Sequence, residues 1–70
     1  MSEYAVVFER ADDGGWSAYA PDVPGVVAAA DTREAVEARM REALRIYAEE
    51  LANRGEPEPA PRSEVAVIAT

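Results

Sequence analysis

Seventy residues make one domain spanning 1–70 and exclude two, since single domains typically run to about 100–150 residues. The chain has neither cysteine nor histidine, which removes disulfides, thiolate metal sites, the usual general base and the commonest zinc ligand, so it reads as a non-enzyme without cofactor or metal, in the reducing cytoplasm. Fourteen acidic residues against seven basic ones, all arginine, give a net charge of −7, which opposes contact with phosphate backbones and favours a basic partner.

Tyr4–Glu9 is a short β-branched and aromatic run that predicts a strand. Asp12-Asp13-Gly14-Gly15 supplies turn chemistry, and Trp16–Ala20 returns as the second strand of a hairpin. Trp16 and Tyr19 alternate to opposite faces, with Trp16 the candidate for the core. Pro21-Asp22-Val23-Pro24-Gly25 stops that strand, because each proline lacks an N–H and Gly25 tolerates positive φ. Val26–Ala30 then predicts a third strand.

Asp31-Thr32 offers two N-caps, Thr32 itself or Asp31 with Glu34 as a capping box. The helix from Arg33 to Asn53 places Val36, Met40, Ala43, Leu44, Tyr47 and Leu51 at three- and four-residue steps, an amphipathic period. Gly55 terminates it, and Pro57, Pro59 and Pro61 make an extended connection. Val65–Ala69 closes the chain with a predicted fourth strand, apolar on both sides.

Chain direction makes this strand parallel to the first and assigns it to the free edge there. The predicted fold is α+β: a β-β-β-α-β domain with sheet order 3-2-1-4 and one helix on one face. One apolar sheet face then lacks a cover, and a helix of about 31 Å overhangs strands of about 20 Å. Both features predict a homodimer or higher oligomer, with Tyr47 and Leu51 of the overhang covered either by the proline segment or by another subunit. No uncharged run approaches the roughly 18 residues of a membrane span, and no signal peptide opens the chain. Asp12, Asp13, Asp22 and Asp31 read as turn, solvating and helix-start residues rather than as a magnesium site. Gly14, Gly15, Pro21 and Gly25 read as turn formers.

Read together, Tyr4-Ala-Val-Val-Phe-Glu9, Asp13-Gly14-Gly15-Trp16, Tyr19-Ala-Pro-Asp-Val-Pro-Gly-Val26 and Asp31-Thr-Arg-Glu-Ala35 resemble the HicB-like antitoxins, over essentially the whole chain. Val26, Ala30 and Ala35 stand where many relatives have cysteine, glycine and glutamate. The resemblance implies a partial ribonuclease-H-like fold without catalytic competence, in an antitoxin that covers the active site of a small basic HicA-type toxin cleaving mRNA. Many relatives add a DNA-binding segment after the last strand, and this chain stops there, so no direct binding of nucleic acid is expected. The alternative is a stand-alone oligomeric binding or scaffold protein of the same fold without a toxin. For toxin contact the sequence points to Asp22 and Pro24 in the proline-stiffened loop, with Asp12, Asp13 and Tyr19 nearby.

Overall fold

The computed structural model describes residues 2–70. Three short strands, β1 (Val7–Arg10), β2 (Trp16–Tyr19) and β3 (Val27–Ala30), precede one helix, α1 (Arg33–Asn53). The sheet is antiparallel, in the order β1-β2-β3, and Phe8, Ala18 and Ala28 stand in one row across it.

The β1–β2 connection closes through bonds from the Gly14 N–H to the Ala11 carbonyl (3.0 Å) and from the Ala11 N–H to the Gly15 carbonyl (2.8 Å). Gly14 sits at φ 91°, a left-handed conformation that a side chain would resist. Between β2 and β3 run two successive turns led by Pro21 and Pro24, with bonds from the Val23 N–H to the Ala20 carbonyl and from the Val26 N–H to the Val23 carbonyl. Proline presets φ at the second position of such turns, and here the pair drives Val23 inward, where it is wholly buried.

Thr32 is the N-cap of α1, its hydroxyl accepting from the Ala35 N–H at 3.1 Å. The helix ends at Arg54, with the Gly55 N–H bonded to the Ala52 carbonyl and the Glu56 N–H to the Leu51 carbonyl, the paired bonds of a Schellman motif. Val36 and Met40 meet Ala18, Ala20 and Val23 in the core, and Phe8, Trp16, Leu44 and Tyr47 pack around them. The core is small because the sheet offers alanines to the helix.

The expected four-stranded sheet of order 3-2-1-4 is not formed. Among the described residues the sheet has three strands, and residues 64–70 lie outside any regular element, with Val65, Val67 and Ile68 exposed. The cause lies just upstream. The chain from α1 is tied first to Tyr4, whose hydroxyl donates to the Pro59 carbonyl at 2.6 Å. It is tied next to the β2–β3 loop, where the Asp22 carboxylate accepts from the Arg62 N–H, the Ser63 N–H and the Ser63 hydroxyl at 2.7–2.8 Å. This proline strap delivers residue 64 at the β2–β3 loop, away from the slot beside β1.

Candidate functional site

Strand alternation sorts the sheet into two faces. Val6, Phe8, Trp16, Ala18, Ala28 and Ala30 pack on the helix side. The outer face carries two rows: Val7, Tyr19 and Val27 at the β2–β3 loop end, and Glu9, Ser17 and Ala29 at the hairpin end. Tyr19 is 40% and Val27 67% exposed, so an apolar row that strand pairing alone holds flat faces solvent.

Asp12 and Asp13 extend this face at the hairpin, both exposed. The Asp13 carboxylate accepts from the Gly15 N–H at 2.9 Å, so Asp13 supports the turn while Asp12 is left to solvent. Pro24 is exposed in the other loop. The five residues read from the sequence as partner contacts thus fall at two ends of the sheet, with Tyr19, Asp22 and Pro24 at one and Asp12 and Asp13 at the other. The outer face joins the two ends. Gly15, Pro21 and Gly25 stand in the connections with Gly14, and Gly25 also adopts positive φ.

Asp22 has a different surrounding from the one its loop position implies. Hydrogen bonds from the Ser63 N–H above all, then from the Arg62 N–H and the Ser63 hydroxyl, hold its carboxyl below the ordinary carboxylate range, since each bond favours the charged form. The sequence signals an aspartate between two prolines, but no local pattern reveals bonds to residues forty positions away. Val23, the buried plug of the loop, also escaped the sequence reading because an isolated valine between prolines has no period.

Charge is unevenly placed. The helix carries four arginines and five glutamates, so nearly all of the net −7 belongs to the strands, loops and strap. Its arginines are engaged: Arg33 and Arg41 pair with Glu37 at 2.5 and 2.8 Å, Arg45 pairs with Glu42 and Glu49, and Arg39 donates to the Ala29 carbonyl. Arg33 also lies 3.5 Å over the Phe8 ring centroid. Its guanidinium, and after it that of Arg41, holds the Glu37 carboxyl below its ordinary range.

Because α1 packs chiefly over β2 and β3, an open groove of about 310 Å³ runs between the outer edge of β1 and the helix. It is lined by Tyr4, Val6, Phe8, Met40 and Leu44, with the Glu37–Arg41 pair at its rim. At the far end of α1, Tyr47 is half-buried against the core and Leu51 is only 5% exposed within the chain. Ile46 beside them is half exposed. Among the described residues no cluster of acidic groups could hold a metal ion, and no helix is long and apolar enough to cross a membrane.

Residues 4–70 match the family model described as the HicB-like antitoxin of bacterial toxin–antitoxin systems. The chain belongs to that family. No curated protein and no solved structure matches it. The match begins at Tyr4, where the strap is tied, and runs through the exposed tail, so these HicB-like features include the segment that the three-stranded sheet leaves unpaired.

Proposed function

We propose that this HicB-like chain neutralises a small basic HicA-type toxin that cleaves mRNA, binding it stoichiometrically and covering its active site. The observation that carries the reading is the family match over residues 4–70. The concentration of negative charge away from the helix supports it. A basic ribonuclease must present cations to RNA, and an acidic, partly apolar surface competes for the same groups. In this reading the chain is a non-catalytic, oligomeric ribonuclease inhibitor of the cytoplasm that does not itself contact nucleic acid. Tyr19 and Pro24 provide apolar contact at one end of the outer face, while Asp12 and Asp13 attract the toxin at the other. Asp22 adds its charge at the loop while holding the strap.

Complementary charge acts mainly on encounter and desolvated aromatic contacts on retention. Association with the toxin should therefore slow as salt rises, and Tyr19→Ala should speed dissociation about tenfold or more. The helical circular dichroism of that variant should be unchanged, because Tyr19 faces away from the core. Surface plasmon resonance at several salt concentrations checks both. Absence of any complex at micromolar concentration would favour the alternative of an oligomeric scaffold without a toxin. A normal complex with Tyr19→Ala would instead move the contact off the outer face.

A further inference from the structure

The two sides of α1 differ in charge. On the β1 side the groove already described ends at Arg41, and the space beyond it, towards the strap, holds both Arg41 and Arg45. On the other side, between the free edge of β3 and the helix, a groove of about 310 Å³ has Val26 and Val27 for one wall and Ala43, Ile46, Tyr47 and Glu50 for the other. None of these six is basic. Val27 and Ile46 are 67% and 50% exposed, so both walls of this seam present apolar surface to water. Glu50 stands at its rim without an arginine. Arg54, the i,i+4 partner that the helix offers it, pairs with Glu56 at 3.4 Å instead, and none of the ion pairs among the described residues uses Glu50. A carboxylate in that position, beside apolar side chains, is complementary to a cation carried next to an apolar group.

Arg39 sets the way in. Its guanidinium donates to the Ala29 carbonyl and so occupies an acceptor of β3, and an incoming chain meets the seam through side chains rather than by extending the sheet. The seam is also continuous with the outer face. Val27 stands in the row with Val7 and Tyr19 and lines the groove as well, and Gly25 brings the proline loop to its border.

We propose that the toxin contact turns the β3 edge: the basic partner lays an apolar side chain flanked by an arginine or lysine into the seam, with the apolar group against Val27 and Ile46 and the cation against Glu50. This inference rests on the antitoxin reading and extends its contact from the outer face, where Tyr19 stands, onto the helix. A second copy of the chain fits the seam less well, because it brings the same acidic rim and a net charge of −7, whereas a basic partner gains from both.

The test uses the full chain and a HicA-type toxin, with surface plasmon resonance and methyl NMR of the isotope-labelled chain as readouts. Toxin should shift the methyls of Val27 and Ile46 and leave in place those of Val6 and Leu44, which line the groove on the other side of α1. Ile46→Ala should speed dissociation about tenfold and Glu50→Gln about fivefold, each with the helical circular dichroism unchanged. Glu49→Gln removes the same charge from the other side of the helix, where Glu49 pairs with Arg45 at 2.5 Å, and should dissociate at the parent rate. A complex that suppresses mRNA cleavage yet dissociates at the parent rate in both seam variants would overturn the proposal and spare the antitoxin reading; absence of any complex with the parent chain would remove both. Equal effects of Glu50→Gln and Glu49→Gln would reduce Glu50 to its share of the net charge and overturn the contact, as would self-association without toxin that Ile46→Ala abolishes.

Discussion

Asp22 shows how one side chain can decide what a terminal segment does. Its position between two prolines restricts its backbone, and three donors from residues 62 and 63 converge on its carboxylate. Because those bonds lower its pKa in the folded chain, the clamp contributes fully above the ordinary aspartate value of 3.8. It is lost as pH falls below that value and through the lower folded one. The Arg62 and Ser63 amide resonances should therefore hold their positions from neutral pH down to about 4 and move only in more acidic solution. Asp22→Asn should abolish that transition and speed exchange of both amides. An inflection at or above 3.8 in the parent chain would show that the clamp is not formed in solution.

Among the elements, α1 was the most legible. Its bounds follow from Thr32, the three- and four-residue apolar steps, Gly55 and the prolines beyond, all of them local signals. The sequence offered both Asp31 and Thr32 as caps, and the structure uses Thr32. Thr32→Ala should cost about 1 kcal/mol in urea unfolding. Gly55→Ala, at φ 71°, should cost about 1 kcal/mol as well, because a Cβ is disfavoured in that conformation. Asp31→Ala should have little effect, and a larger loss there than at Thr32 would reassign the cap. Strands β1, β2 and β3 were legible as short β-branched or aromatic runs between turn residues, each somewhat shorter in the structure than the run that announced it. The fourth strand was misassigned for a physical reason: composition records that Val65–Ala69 favours extended pairing, but not with which edge. That choice rests on Tyr4 with Pro59 and on Asp22 with residues 62 and 63, contacts between positions far apart in the chain.

At the scale of the whole molecule, the net charge was readable from composition, while its distribution required the fold. Helix charges nearly cancel within their own ion pairs, so the sheet, loops and strap carry the acidity. The outer face was half legible. Alternation in β1 exposed a second apolar side, but only the strand register assembled Val7, Tyr19 and Val27 into one row with Asp12 and Asp13 beyond its other end. That face and the HicB-like family together define the central claim, that the chain acts by occupying a toxin rather than by turning over a substrate. Titrating the chain against a fixed amount of the proposed HicA-type toxin, with mRNA cleavage as the readout, tests this most directly. Cleavage should fall in proportion to added chain, end at a sharp stoichiometric equivalence and not recover while the complex persists; unchanged cleavage in the presence of a large excess, or full suppression by a small fraction of an equivalent, would contradict it.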